Sequence, residues 1–224
     1  MVYYADRHSQ AMSKPSPRDR MIRSAALLMR ERGVEATSFT EVLARSSAPR
    51  GSIYHHFPGG KAELVVEATR YAGDYIAASM IAAHERGDPE AALRGFGAWW
   101  HRVLSESGFE AGCPVVAATL EGERLPAARD AAADAFRAWE SIFAAALERS
   151  GAEPDRARSL GTLMIAALEG AIILARAERS MAPLSRVVEE LIATVRDALP
   201  ARVAEVAPLL AEVDPVAGGT EGAD

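Results

Sequence analysis

The chain is poor in cysteine, in aromatic residues and in long uncharged apolar runs. Its single cysteine, Cys113, excludes an intramolecular disulfide and is typical of the reducing cytoplasm. The most apolar stretch, residues 162–175, is interrupted by Glu169 and Gly170 and is too short for a membrane span, so it predicts a buried helix. The first ten residues lack the basic-then-apolar pattern of a signal peptide. We therefore expect a cytoplasmic protein without a membrane partner.

Lysine is rare as well, since only Lys14 and Lys61 occur, and the net charge of −6 would by itself argue against a nucleic-acid partner. The charge is unevenly distributed, however. Residues 1–61 carry a balance of +5, whereas residues 62–224 carry −11. A basic segment on an acidic remainder is typical of a protein in which one end meets phosphates, although a short segment can also be basic by chance.

The composition predicts an all-α fold, because alanine, leucine, glutamate and arginine are abundant and β-branched runs are few. The apolar periodicity, divided by proline and glycine, predicts helices at about 18–32, 38–46, 49–57, 61–86, 89–106, 114–122, 126–150, 155–179 and 183–199. We divide the chain into a disordered N-terminal arm (1–16), a three-helix domain (17–60), a larger helical domain (61–205) and a flexible tail (206–224).

Residues 40–61 form the most informative segment, with two short helices, a turn of about four residues between them, and the start of a long helix. This is the geometry of a helix-turn-helix, whose second helix enters the major groove of DNA. Pro49 is predicted at the first position of that helix, and Ile53 and Phe57, four residues apart, at its buried face. The predicted DNA-contacting residues are Thr40, Arg50, Gly51, Ser52, Tyr54, His55 and Lys61.

Some of these residues have a second structural interpretation. Arg50 lies where an arginine can donate two hydrogen bonds to guanine, but it can also be a solvated surface residue. Thr40 can contact a phosphate or simply cap its helix. His56 points about 100° away from His55 and is expected to pack against the first or fourth helix. Lys61 opposes the dipole at a helix N-terminus unless a phosphate lies beside it.

The segment 33–61 resembles the DNA-binding signature of the tetracycline-repressor (TetR) family. The matching residues are Gly33, Thr40, Ser46-Ser47-Ala48, Tyr54-His55-His56-Phe57 and Lys61. The run from Phe57 to Lys61, with Gly112-Cys113-Pro114 and the following Leu120-Glu121, resembles the LmrA/YxaF-like branch of that family. The chain departs from the signature at Ser47, where the family usually has glycine, so a left-handed backbone there would be mildly disfavoured.

The resemblance implies a homodimeric repressor of a palindromic operator, in which Tyr54 and His55 contact phosphates. The sequence also predicts the dimer, because the helices at about 155–179 and 183–199 are apolar on more than one face and must be buried on both sides. The alternative is a large monomeric core.

A repressor needs a release signal, and residues 61–205, the expected ligand-binding and dimerisation domain, carry bulky side chains that can form an apolar site for a small, apolar or aromatic effector. The predicted ligand-binding residues are Met80, Phe96, Trp99, Trp100, Cys113, Phe136 and Trp139. Because Trp99 and Trp100 cannot face the same stripe of a helix, we expect one of them to line a cavity. The alternatives are that these aromatics are ordinary core residues and that Cys113 is a thiol sensor.

An enzyme is disfavoured, because no acid/base cluster, HExxH motif or Walker loop is present. We predict no catalytic residue, no metal site and no cofactor. The remaining alternative is a small-molecule-binding helical protein whose DNA-binding domain has lost its activity. The basic N-terminal segment and the intact Tyr54-His55 pair argue against it.

Overall fold

The structure, a computed structural model, describes residues 15–86 and 88–200, apart from the side chains of Arg50 and Arg86. Most of the predicted arm, and the whole of the predicted tail at residues 206–224, lie outside the described residues. All regular secondary structure in the described part of the chain is helical, which confirms the all-α prediction.

The N-terminal part, called the head below, contains α1 (Pro17–Arg32), α2 (Phe39–Ser46), a 3-10 turn (Arg50–Ser52) and the short α3 (Ile53–His56). The remainder, called the body, contains α4 (Gly60–Arg86), α5 (Pro89–Glu106), α6 (Pro114–Thr119), a 3-10 turn (Gly122–Arg124), α7 (Pro126–Arg149), α8 (Pro154–Glu178) and α9 (Ala182–Ala198). These bounds agree closely with the predicted helices except at α3 and at the end of α6.

The first two helices begin at capping boxes, in which a serine hydroxyl and an acidic side chain three residues later bond each other's backbone N–H groups. Ser16 and Asp19 form the box of α1, so Ser16 belongs to the head rather than to the predicted arm. Ser38 and Glu41 form the box of α2. Ser38 therefore caps this helix, which leaves Thr40 free of that role.

The prediction for the start of the third helix was wrong. Pro49 has the extended ψ of 137° and precedes the helical residues instead of being the first of them. The backbone N–H and the hydroxyl of Ser52 both donate to the Pro49 carbonyl, at 3.0 and 2.7 Å, and this closes a 3-10 turn before α3. A proline suits the φ of a helix, but it does not fix ψ.

The body is organised around α7, which packs mainly against α8 and α4. The Trp139 indole N–H donates to the Gly73 carbonyl across the α7–α4 contact, at 3.0 Å within the core. A Cβ at Gly73 would lie 2.8 Å from the Cβ of Ala135, so this crossing requires glycine. One continuous apolar core extends from here into the head, where α1 packs against α4 and α6.

The last two helices differ more than the sequence indicated. Helix α8 buries one face against α7 and α9 and exposes Leu163, Ile173 and Leu174 on the other. Helix α9 packs against both α8 and α5, and its exposed side is charged. Helix α9 is therefore buried on two sides, as predicted, but both sides are covered within the same chain, by α8 and by α5.

By length and composition alone α8 could cross a membrane. Nine of its residues, including Leu160, Met164 and Leu168, are buried inside the protein, and a core helix passes the same test.

Candidate DNA-binding site

The turn between α2 and the 3-10 turn is made by Ser47, which ends α2 in a left-handed conformation with φ 52° and ψ 35°. Its backbone N–H and that of Ala48 both donate to the Leu43 carbonyl, which satisfies an end of the helix that would otherwise lack a partner. Serine in place of the glycine usual in the family therefore costs conformational free energy here, as predicted, because a Cβ disfavours the left-handed region.

The recognition helix, meaning residues 50–56, is held in place by its apolar side. Ile53 and Phe57 are fully buried, as predicted, and the Arg18 guanidinium lies 5.2 Å from the centre of the Phe57 ring. The other side of the helix faces solvent: Tyr54 is 69 % exposed and His55 is exposed. The Tyr54 ring packs edge-on against Phe39 at 5.5 Å, so its hydroxyl is presented from a supported ring.

The other predicted contact residues also lie at this surface. Thr40 and Gly51 are exposed, and a Cβ at Gly51 would meet no atom within 4 Å, so a DNA backbone could approach closely there. Ser52 is half-buried and its hydroxyl donates to the Pro49 carbonyl, which leaves its oxygen as an acceptor. His56 is half-buried, in keeping with its predicted inward position.

Lys61 lies in the first turn of α4, and its Nζ donates to the Glu35 carbonyl at 2.8 Å. This contact ties the start of α4 to the connection between α1 and α2, a role that sequence spacing did not indicate. An ammonium group has three donors, so the contact leaves two for a phosphate.

Three arginines of the described head are paired with carboxylates. Arg45 binds Glu31 through two hydrogen bonds of 2.7 and 2.8 Å. Arg32 binds Glu41 at 2.5 Å. A third pair, at 3.1 Å, joins Arg18 to Glu67 of α4. The basic balance of the sequence therefore overstates the charge that is free to meet phosphates, because the acidic partners come from neighbouring turns and helices.

Two regions of the chain match the protein families of known regulators. Residues 21–68 match the bacterial regulatory proteins of the tetR family, and residues 89–190 match the C-terminal domain of LmrA/YxaF-like transcriptional regulators. An uncharacterised HTH-type transcriptional regulator of Mycobacterium tuberculosis is 41 % identical over 184 residues, which cover 78 % of this chain and 92 % of that protein. The chain belongs to the TetR family.

Two further comparisons concern the branch and the fold of this TetR-family protein. YxaF of Bacillus subtilis, an uncharacterised HTH-type regulator, is 30 % identical over 189 residues, covering 82 % of this chain and 97 % of YxaF. A TetR transcriptional regulator from Legionella pneumophila has the same fold, with a TM-score of 0.71 over 82 % of this chain and 99 % of that one at 22 % identity. The resemblance to the LmrA/YxaF-like branch is thereby confirmed, and the protein is a transcriptional regulator with an N-terminal DNA-binding domain.

The predicted ligand-binding residues of this TetR-family protein lie in or against the core of the body. Phe96, Trp99 and Trp100 stack along α5, with Trp99 and Trp100 ring centres 4.9 Å apart. Phe136 and Trp139 form an edge-to-face pair on α7. Four of the seven are buried and three are half-buried; the buried ones are Met80, Trp100, Cys113 and Trp139.

Trp100 is buried, whereas Trp99 is half-buried, in agreement with the expectation that the two rings face differently. The Trp100 indole N–H is buried without a hydrogen-bond partner in the described structure, which is costly for a polar group. A groove of about 390 Å³ lies elsewhere, between α5 and α9, and none of the seven residues lines it; its walls are Arg94, Gly97, Ala98, His101, Leu184, Ser185, Val188 and Glu189. The ligand-site assignment stays a prediction.

Cys113 precedes α6, and its thiol lies beside the Glu169 carboxyl of α8. Burial and the adjacent carboxylate raise the pKa of the Cys113 thiol well above its usual value, which disfavours the reactive thiolate. Burial likewise raises the pKa of Glu169 to about 7, although an edge of the residue stays partly exposed. This pair was not predicted, because Glu169 follows Cys113 by more than fifty residues. Across the described residues, no group of three or more His, Cys, Asp or Glu side chains could hold a metal ion.

Proposed function

We propose that this protein is a ligand-responsive repressor that acts in the cytoplasm, binds a near-palindromic operator as a dimer and is released by a small apolar effector. The single observation that carries the DNA-binding part is the recognition helix, whose buried Ile53 and Phe57 hold Tyr54 and His55 towards solvent. Its predicted contacts are those named above, with Arg50 reading bases and Tyr54, His55 and Lys61 contacting phosphates.

The exposed side of α8 supports dimerisation. Leu163, Ile173 and Leu174 are each about half exposed, and they lie on one face of the helix with small residues between them. Such a contiguous apolar face is expected to be covered by a partner. A second copy of α8, with α9 beside it, would complete a four-helix interface and place two recognition helices one DNA turn apart.

The effector would act through α4, the helix that begins at the head and ends in the body. An apolar molecule bound beside the α5 and α7 aromatic residues would tilt α4 and move the recognition helices out of register with successive major grooves. It would do so only by binding the DNA-incompetent state more tightly. A tenfold change in operator affinity requires about 1.4 kcal/mol of differential binding.

The test is selection from a random duplex library with the purified protein at two salt concentrations. We expect enrichment of a palindrome, which would then serve to screen effectors by release. Salt-sensitive retention of DNA without a consensus would count against a sequence-specific operator. Absence of binding at both salt concentrations, from protein freed of small molecules by refolding, would favour the alternative of a ligand-binding protein with an inactive head. The observation that favours this alternative is the pairing of three head arginines with carboxylates, because paired charges are less free to bind phosphates.

A further inference from the structure

The connection between α5 and α6, residues 107–113, has an unusual backbone. Gly108 and Phe109 are both left-handed, with φ of 59° and 66°. The Phe109 N–H donates to the Leu104 carbonyl at 2.8 Å, and its ring packs against the core. A residue with a Cβ keeps this conformation only where its surroundings hold it, at a cost of order 1 kcal/mol. The connection is therefore held in place by its contacts.

One of these contacts reaches the head. The Gly112 N–H donates to the Arg30 carbonyl at 2.8 Å. Arg30 lies in the last turn of α1, where carbonyls have no partner within the helix. The body thus supplies a hydrogen bond to the end of α1, and Gly112 is buried where it does so. Helix α4 also bonds the head, through Arg18–Glu67 and through Lys61 to the Glu35 carbonyl, whereas the ion pair from Arg124 to Glu35 is 4.0 Å long and well exposed, so it contributes little.

The opposite side of the connection is held by α8. The Arg176 Nη2 donates to the Glu110 carbonyl at 3.1 Å. The same guanidinium lies close to Gly112, because a Cβ there would be 2.6 Å from Nη1 and 3.2 Å from Cζ. A side chain at position 112 would therefore force the guanidinium of Arg176 to move. The neighbouring Arg179 binds the exposed side chain of Glu110, at 3.3 Å, and its guanidinium lies 5.9 Å from the centre of the Phe109 ring.

The Arg176 guanidinium is incompletely satisfied. Its buried Nε has no hydrogen-bond partner in the described part of the chain, and no carboxylate described there lies within ion-pair distance. A buried N–H group without an acceptor carries a desolvation cost, although Arg176 as a whole is only half-buried. The Arg176 guanidinium is therefore held to the connection by one neutral acceptor and by no ion pair in the described residues.

We infer that Arg176 is a positioning residue for the DNA-binding head. The Arg176 clasp, which we define as Arg176, the Glu110 carbonyl, Gly112 and the Arg30 carbonyl, joins the expected dimer helix α8 to the C-terminal end of α1. Displacement of Arg176 frees residues 107–113, and the end of α1 then loses its bond to the body. This route from the body to the head is additional to the tilt of α4. Only its effect on operator affinity rests on the proposed function.

The first test needs no DNA. Hydrogen exchange followed by mass spectrometry is compared between the intact protein and its Arg176→Met variant, with Arg179→Met as the matched control. We expect Arg176→Met to speed exchange at least tenfold in peptides covering residues 108–114 and the end of α1, while Arg179→Met changes it less than twofold. Arg176→Lys keeps a donor for the Glu110 carbonyl and should restore part of the protection. Equal exchange in the Met variants at positions 176 and 179 would overturn the proposal.

A double-mutant cycle then asks whether Gly112 and Arg176 act together. Gly112→Ala should displace the guanidinium, so adding Arg176→Ala to it should speed exchange little further. Multiplied effects of the two changes would mean that they act separately and would refute the clasp.

Operator affinity supplies the functional readout, using the palindrome selected from the library. We expect Arg176→Met to change the affinity of the dimer at least fivefold, with an unchanged dimer mass and with Arg179→Met near the parent. Faster exchange with unchanged affinity would show that the clasp does not position the head for DNA. If the parent protein binds no DNA, the proposed function fails, and the exchange result alone still decides whether Arg176 holds the head to the body.

Discussion

At the scale of single residues, Ser47 adopts a left-handed backbone at a position where the family usually has glycine. Its left-handed φ of 52° is the one that glycine adopts without cost, and two backbone N–H groups donate to the Leu43 carbonyl across the turn. The neighbouring contacts therefore impose the turn on a residue that disfavours it.

Ser47→Gly is expected to raise the free energy of unfolding by about 0.5–1 kcal/mol, because it removes the strain of a Cβ in the left-handed region. Thermal unfolding of the two proteins measures this difference. Ala48→Gly is the matched control: φ at Ala48 is not positive, so this change should destabilise the protein. A lower melting temperature for Ser47→Gly than for the parent would contradict the strain argument.

Glu169 is a second residue whose behaviour depends on its surroundings. Since burial raises its pKa to about 7, the folded state holds a proton that the unfolded state releases near the ordinary value of 4.5. Stability should therefore fall as the pH rises from about 4.5 to 7 and level off above that, by an amount of order 2–3 kcal/mol.

Glu169→Gln should remove this component of the pH dependence, because glutamine stays neutral. We expect the free energy of unfolding of the variant, relative to that of the parent, to be higher at pH 8 than at pH 5. Urea unfolding of both proteins at the two pH values measures this. Comparing the two proteins at each pH cancels the titration of all other groups. A stability difference that is independent of pH would show that the Glu169 carboxyl titrates normally.

At the scale of helices, the start signals in the sequence were reliable. Ser38, Asp88 and Glu153 all cap helices at or beside the predicted boundaries, because a cap depends on three or four adjacent residues. The start of α3 was mispredicted, since the ψ of Pro49 is set by the bonds that Ser52 makes to its carbonyl.

The exposed face of α8 gives a prediction at the same scale. Leu174→Glu should weaken the dimer at least a hundredfold, because it would bury a carboxylate among apolar side chains. Sedimentation at several concentrations measures this. Leu120→Glu is the control, since Leu120 is 77 % exposed but lies at the end of α6 rather than on α8. Similar association by both variants would move the interface away from α8.

At the scale of the whole molecule, the distribution of charge matters more than its sum. The head arginines that pair with carboxylates release few counterions on meeting DNA, so the salt dependence of binding should be weaker than the basic sequence suggests.

Three head variants, measured on the selected operator at several salt concentrations, separate these contributions. Lys61→Ala should reduce the slope of log affinity against log salt by about one and weaken all sequences alike. Arg50→Ala should lose sequence preference instead. Arg32→Ala, which removes a charge already paired with Glu41, should leave the slope unchanged. A slope that falls equally for the Lys61 and Arg32 variants would contradict the assignment of Lys61 to a phosphate.

The sequence by itself determined the helices, their caps and the helix-turn-helix, because these depend on local periodicity and on residues a few positions apart. Only the tertiary structure decided which charges are paired, that Lys61 bonds the Glu35 carbonyl, and that α9 is covered on two sides within its own chain. It alone brought Glu169 to Cys113 and Arg176 to Gly112. Such contacts join residues more than fifty positions apart, and their geometry follows from how whole helices pack rather than from any local pattern.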